Sequence, residues 1–342
     1  MTLGMIVRAD NSGLGNQTYE LAQMLKPDLV MVIDFSDHNG FKQYPERYAN
    51  FNCMFVKGFP NKEDIVEFSS HVDTIFSCET FYNDFAPRLA KRVNGTKSIL
   101  QYNYELFGGH NNKSYIVPNL LVAPSVWNID QMKRQYNGRV FYLPPPTNQE
   151  TFAASREINK ERHGRLLHIA GKPAKADRNG TNSVLEMLRY SEADYELVIR
   201  VQTDADIECD DPRVTIEYGD IDNRADMYSG FDAMVLPRRY AGLCLPMNEA
   251  LLSGLPVFMT DVSPNNFILP REWLATATSL GTIRTKTNIE SFNANPKKLA
   301  RLIDNYFDNT KMLEQKDRAY EIGYQNFSPD VLRKQYKDVL GI

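Results

Sequence analysis

The chain is poor in the residues that build disulfide or metal scaffolds. Its 342 residues include four cysteines and five histidines. Cys53, Cys78, Cys209 and Cys244 are far apart, form no CxxC pair and have no histidines at zinc spacing. Thiols buried or incidental in a reducing compartment are the expectation. Long hydrophobic runs are also missing, as none approaches the ~20 residues of a membrane span. The opening Met1-Thr-Leu-Gly-Met-Ile-Val-Arg-Ala-Asp10 lacks the basic start and apolar centre of an export signal and reads as a first strand. A cytoplasmic location is therefore expected, and Asn94-Gly-Thr96 carries no meaning as a glycosylation triplet. Positive charge is not in excess: 39 Lys and Arg stand against 43 Asp and Glu, for a net charge of −4 and a pI near 5.8. That excludes a global field recruiting nucleic acid, though not a local basic cleft.

What is present is enough apolar material for two cores. With 42% hydrophobic residues, the length exceeds what one core usually supports. Apolar runs alternate with helical or irregular stretches throughout, which implies parallel sheets. In the first half the runs are Gly4 to Ala9, Leu29 to Ile33, Cys53 to Val56, Asp73 to Ser77, Ser98 to Tyr102 and Val140 to Leu143. In the second they are Arg165 to Ala170, Glu196 to Val201, Val214 to Tyr218, Ala233 to Leu236 and Val257 to Thr260. Pro144-Pro-Pro146 stiffens the exit from the first half, and the linker is placed at about residues 145–163.

The most informative stretch runs from Asp232 to Asp261. It reads as strand, loop, helix, turn and strand, so its loop lies at the carboxyl edge of a sheet, where open α/β folds bind ligands. Pro246 suits the start of the helix, Gly254 the left-handed residue past its end, and Pro256 forbids continuation. Gly242 permits close approach of a ligand, and the N–H groups around Gly242, Leu243 and Cys244 favour an anion. Glu249 stands one turn inside the helix. A carboxylate there can accept two ribose hydroxyls, or simply complement the helix dipole.

Gly242, Leu245, Pro246, Glu249, Ala250, Gly254, Pro256 and Val257 match in register the pattern Glu-Gly-Phe-Gly-Leu-Pro-x-x-Glu-Ala-x-x-x-Gly-x-Pro-Val. The stretch thus resembles the nucleotide-binding motif of GT-B-fold glycosyltransferases of the retaining family 4 type, in a compact form like bacterial and bacteriophage versions. Leu243 replaces the family's Phe, Ala241 its first Glu, which contacts the donor sugar, and Cys244 its second Gly. The resemblance is strong over residues 165–270. It implies two Rossmann-like α/β domains facing a cleft, with a last helix crossing back to the first. The expected boundaries are an acceptor-side domain at 1–155, a nucleotide-sugar domain at 156–322 and the returning helix at 323–342. It also implies that Glu249 grips the ribose and that sugar transfer proceeds with retention.

A second constellation is Gly171-Lys-Pro-Ala-Lys-Ala-Asp-Arg-Asn-Gly180, ahead of a helix over Thr181 to Tyr190. Glycines and cations after a first strand suit a diphosphate, as a solvated charged loop would also look. The family uses a Gly-Arg and a Lys-Gly here. Lys172 takes the first place after Gly171, and Arg178 near Gly180 the second, with Lys175 in reserve. Arg238 at the end of the organising strand is a further donor-binding candidate. Asp204-Ala-Asp206 could hold a metal but sits in an acidic stretch that reads as a solvated loop, so a metal-free scheme is expected, with no cofactor beyond the nucleotide-sugar.

In the first half, Gly13-x-Gly15 makes an incomplete dinucleotide fingerprint, because Thr18 stands at the third glycine position. Asn16 is the expected N-cap of the helix that follows. The resemblance places this loop near the donor phosphate or acceptor; a tight strand–helix turn explains it as well. Glu79 and Glu105 lie just past two strands, where either can act on an acceptor hydroxyl, and Tyr82, Tyr102 and Tyr104 can stack or simply pack. His110 falls in a polar loop. Arg88, Lys91, Arg92 and Lys97 form a basic cluster that a DNA acceptor would need, though such clusters are usually solvated helix faces. The acceptor is left open between a modified DNA base, a protein and a glycan. Competing readings are a nucleotide-sugar epimerase or phosphorylase on the same fold, and a non-catalytic nucleotide-sugar binder. The remaining one is a dehydrogenase using Asp34 for a ribose.

Overall fold

The computed structural model describes residues 1–36, 42–107, 118–136, 139–171, 177–202, 207–240 and 242–342. Two compact units divide the chain. The first is Met1–Thr147 with Thr285–Thr287 and Pro329–Ile342; the second is Asn148–Arg284 with Asn288–Ser328.

The first unit is a parallel sheet of β1 (Leu3–Arg8), β2 (Leu29–Asp34), β3 (Cys53–Lys57), β4 (Thr74–Cys78), β5 (Lys97–Gln101), β6 (Leu120–Ala123) and β7 (Val140–Tyr142). Their order is β3-β2-β1-β4-β5-β6-β7. Strands β1 and β2 carry the near-continuous apolar runs of parallel strands covered on both faces: Met5, Ile6 and Val7 are buried beside Val30, Met31, Val32 and Ile33. Helix α1 (Gly13–Leu25) begins under Ser12, whose Oγ accepts from Gly15 N at 3.1 Å, and not at Asn16 as expected. Gly15 is required there, because a Cβ would sit 2.0 Å from the carbonyl oxygen of Asp10. Helices α2 (Lys62–Ser70) and α3 (Ala86–Asn94) follow β3 and β4. The last helix, Pro329–Leu340, buries Leu332, Tyr336 and Leu340 in this unit's core. The Tyr336 hydroxyl accepts from Gln101 Nε2 at 2.8 Å and donates to Pro144 O at 3.0 Å.

The second unit repeats the plan with β8 (Arg165–Gly171), β9 (Glu196–Val201), β10 (Val214–Tyr218), β11 (Ala233–Val235), β12 (Val257–Thr260) and β13 (Leu274–Ala275). The parallel order is β10-β9-β8-β11-β12-β13. An antiparallel pair, β14 (Ala277–Arg284) and β15 (Asn288–Ala294), stands outside that sheet. The helices that matter below are α4 (Thr181–Met187), α5 (Leu245–Leu252), α6 (Pro296–Phe307) and α7 (Met312–Phe327). Helix α4 is shorter than the Thr181–Tyr190 expected.

The unit boundaries differ from those expected, for packing reasons. Phe152 is fully buried in the second core, and Ser155 Oγ donates to Ala225 O at 2.7 Å. Asn159 satisfies both ends of its amide, donating to Tyr228 O and Ser253 O while accepting from Gly230 N and Phe231 N. Most of the expected linker is therefore built into the second unit. At the other end α7 runs on to Phe327, also in the second core, so the returning segment starts at Pro329 and not at 323. At the amino end of β11, Asp232 pairs with buried Lys316 at 2.8 Å, and Lys316 also donates to the carbonyls of Asn159 and Glu161. Desolvation lowers the pKa of that lysine.

Candidate functional site

In the second unit the strand order reverses between β8 and β11, and the loops leaving these strands flank the crevice where open α/β sheets take ligands. The two loops are pressed together. Gly180 (φ 77°) has its missing Cβ 2.3 Å from Pro237 O, and Arg239 N donates to Arg178 O at 2.9 Å. Beneath them His168 on β8 is fully buried, with Nδ1 2.8 Å from Val235 O and Nε2 3.0 Å from Thr181 Oγ1. Burial drives its pKa down to about 4, so it stands neutral.

The loop after β8 does not offer the open helix start that its sequence led us to expect. Asp177, itself left-handed at φ 44°, accepts from Thr181 N at 2.7 Å and Asn182 N at 3.1 Å. A carboxylate of the chain thus already occupies the positive end of α4, which disfavours a phosphate there. Gly171 is left-handed at φ 68°. Arg178 is half-buried, with its guanidinium carbon 5.4 Å from the centre of the Tyr240 ring. Lys172 and Lys175 lie outside the described residues, as do Ala241, His110 and Asp204-Ala-Asp206.

The loop after β11 is different. Helix α5 starts at Leu245 behind Cys244, and no side chain caps it; Pro246 stands in its first turn. Gly254 past its end is left-handed, at φ 74°. Gly242 and Leu243 are half-buried and Cys244 is buried. Arg238 is 7% exposed and donates from Nη1 to Leu243 O at 2.7 Å, bracing the loop. Its Nε is buried without a hydrogen-bond partner, and no carboxylate pairs with it among the described residues. Asn248, in the same helix, is 1% exposed with Nδ2 unpartnered. Glu249 is buried, with Oε2 accepting from the Tyr228 hydroxyl at 2.6 Å and Oε1 paired with Arg224 Nη2. Burial and the adjacent carboxylate raise the Tyr228 pKa well above its usual value, so the phenol stays a donor. Sequence reasoning missed both Arg224 and Tyr228.

In the first unit the corresponding reversal lies between β1 and β4. Gly13 and Gly15 belong to the first turn of α1 and do not form an open loop. Asp10, buried, accepts from Ser12 N at 3.0 Å and from the Ser12 hydroxyl, and pairs with Arg8. Glu79 and Tyr82 follow β4, both left-handed (φ 60° and 63°). Glu79 Oε1 accepts from Asn103 Nδ2 at 3.0 Å. Tyr82 and Tyr102 are buried, and Tyr104 packs edge-on to Trp127. Asp34 accepts from Ser36 N at 2.7 Å, a turn contact. Lys91 and Arg92 occupy the last turn of α3 and Lys97 starts β5, all exposed. A helix between two parallel strands returns to the amino edge, so these three cations lie away from the carboxyl edge that carries Glu79, while exposed Arg88, in the first turn of α3, lies toward it.

Among the described residues, no three His, Cys, Asp or Glu side chains gather to hold a metal ion, and no helix is long and apolar enough to cross a membrane.

Two parallel-sheet α/β units give the chain a GT-B fold. Solved structures of that class match the chain across its length. HepE of Anabaena, in a complex with UDP and glucose, superposes with a TM-score of 0.71 at 11% identity, covering 100% of both chains. The lipopolysaccharide outer core galactosyltransferase WaaB gives 0.65 at 10% identity over 100% of this chain and 99% of that one. Sucrose-phosphate synthase of Thermosynechococcus elongatus gives 0.64 at 13% identity over 98% and 97%. No family model and no characterised protein matches the chain in sequence.

Proposed function

We propose that this protein is a glycosyltransferase that moves a sugar from a nucleotide-sugar to an acceptor hydroxyl, without a metal and with retention of configuration. The observation that carries the proposal is the α5 start. It is a helix N-terminus at a strand-order reversal with no side-chain cap, a buried guanidinium at its base without a counter-ion among the described residues, and a buried carboxylate one turn on. In the reaction the bond from the anomeric carbon to the diphosphate breaks, a bond to the acceptor oxygen forms, and the acceptor's hydroxyl proton passes to the departing phosphate oxygen. Charge develops on the leaving diphosphate, and the groups assigned to hold it are the N–H groups of Gly242, Leu243 and Cys244 with Arg238, Arg178 and Lys172. Glu249 takes the ribose hydroxyls. Gly171 gives the backbone clearance beside the phosphates, and Glu79 is the candidate for the acceptor hydroxyl.

The test is thermal stabilisation by UDP-, GDP-, ADP- and TDP-sugars, on the wild type and Glu249→Ala. UDP-sugars come first because HepE was solved with UDP. A ligand bound only by the native state raises Tm, the more so as its concentration exceeds Kd. Stabilisation by one nucleotide, abolished in the variant, is the expected result; product stereochemistry with a panel of acceptors then reads retention. No stabilisation by any donor, in a folded and monodisperse sample, would overturn the proposal.

A further inference from the structure

Glu249 is gripped by two groups that the proposed reaction does not otherwise use, and both come from one short turn, the 3-10 helix Arg224–Tyr228. Tyr228 is fully buried, and its own position is fixed. Its ring packs edge-on against Phe152 with centroids 5.8 Å apart, and its carbonyl accepts from Asn159 Nδ2 at 2.8 Å. Arg224 lies with its guanidinium carbon 5.6 Å from the centre of the same Phe152 ring. Between them, Ala225 O accepts from Ser155 Oγ. The turn is thus anchored to the 152–159 segment, and two donors project from it onto the two oxygens of one carboxylate.

A carboxylate has about four acceptor positions, two on each oxygen. Tyr228 fills one on Oε2 and Arg224 one on Oε1, which leaves one acceptor position on each oxygen. Two acceptors held side by side match the two hydroxyls of a vicinal cis-diol. A free glutamate would have to order its rotatable bonds on binding; this one is already ordered.

We infer that Tyr228 and Arg224 are positioning residues that hold Glu249 ready for a ribose diol and so set the preference for ribonucleotides over 2′-deoxyribonucleotides. The inference rests on the proposed donor site at Glu249. It predicts uniform binding, so the variants raise KM for the nucleotide-sugar and leave kcat within about twofold.

The test is calorimetric Kd for UDP, ADP and GDP, each paired with its 2′-deoxy counterpart, on the wild type, Tyr228→Phe, Arg224→Lys and Glu249→Ala. For whichever base binds, the wild type is expected to favour the ribo form at least tenfold and Glu249→Ala to lose that preference. Tyr228→Phe removes one oxygen atom and should cut the preference about fivefold or more, weakening the ribo form, which uses both Glu249 oxygens, more than the deoxy form, which keeps only its 3′-hydroxyl contact. Arg224→Lys keeps the charge but loses the fork geometry and should do the same to a smaller extent. A purely structural role would lower Tm and weaken both nucleotides equally. Folded Tyr228→Phe and Arg224→Lys proteins with the full wild-type preference would overturn the inference while leaving the donor site standing. A wild type that does not discriminate would remove Glu249 as the ribose ligand, and one that binds no nucleoside diphosphate would remove the proposed function; either result takes the inference with it.

Discussion

At the reversal of the first sheet, helix α1 starts under the Ser12 hydroxyl, and the Asp10 carboxylate beside it is bonded to Ser12 and Arg8. At the reversal of the second sheet two helices start. Helix α4 carries Asp177 over its first N–H groups, whereas α5 has no side chain over its start and a buried arginine at its base. All three starts follow a strand, and all three have glycines nearby. Two have internal acceptors in place for their positive ends, and one does not. The difference teaches that a glycine-rich strand–helix junction is available to an anion only when the chain leaves the helix start unfilled. Glycine alone often serves close packing.

The sharpest way to break the comparison is at Gly15. If α1 is a clamped junction, Gly15→Ala forces a Cβ to within 2.0 Å of the Asp10 carbonyl oxygen and something must move. A loss of about 3 kcal/mol or more is expected, by chemical denaturation, which is the range of severe overpacking or backbone strain. Donor binding should survive in the fraction that stays folded. A loss under about 1 kcal/mol would show that the junction has slack and is open to another role.

Next in size is the acid sensitivity of the floor beneath α4 and α5. His168 is held neutral with a pKa of about 4, below its ordinary 6.5. The native chain therefore binds fewer protons than the unfolded chain between these values. Stability from this group is complete above pH 6.5 and is lost as pH falls through 4, on the order of 3 kcal/mol in all. Urea titrations from pH 7 to 4 should show that slope in the wild type and a shallower one in His168→Gln. Equal slopes would mean that other groups carry the acid loss.

The third prediction turns the open start into a closed one. Cys244→Asp places a carboxylate at the N-cap of α5, as Asp177 serves α4. Donor affinity should fall about 100-fold, or about 2.7 kcal/mol, by calorimetry with the stabilising nucleotide-sugar. Cys244→Ser supplies a neutral cap and should lose no more than a few-fold. Undiminished binding by Cys244→Asp would place the diphosphate elsewhere.

How much of this was legible in the sequence depended on the range of the interaction. The main parallel strands could be read because their apolar runs are local, and so could the Pro246 and Gly254 boundaries of α5. Strand β13 is only two residues long, too short for periodicity to register. Strand β14 is largely exposed and carries no clean alternation. At the candidate site, Glu249 stood out through the resemblance of the whole Gly242–Val257 string to a nucleotide-binding motif; its position alone fits a carboxylate that complements the helix dipole. Its partners Arg224 and Tyr228 lie across the strand β11 and the following loop, so no local pattern could pair them with it. Asp177 escaped for a different reason: Gly180 holds the N-cap position of α4, and the capping carboxylate reaches in from before it.

That last feature gives the smallest and most diagnostic prediction. Asp177→Ala uncovers the α4 start and removes two hydrogen bonds, to Thr181 N and Asn182 N. Loss of such a cap costs about 0.5–2 kcal/mol, while Asn retains an acceptor and should cost less. Because the anion is proposed to sit at α5, donor affinity should stay within about threefold in Asp177→Ala, or rise slightly as a nearby negative charge disappears. Denaturation midpoints and calorimetric Kd values on Asp177→Ala and Asp177→Asn separate the two effects. A drop in affinity of about 30-fold in Asp177→Ala, at modest cost in stability, would mean that the capped loop shapes the donor site through Arg178 and the Gly180–Pro237 contact. Filled and open helix starts would then be two parts of one site.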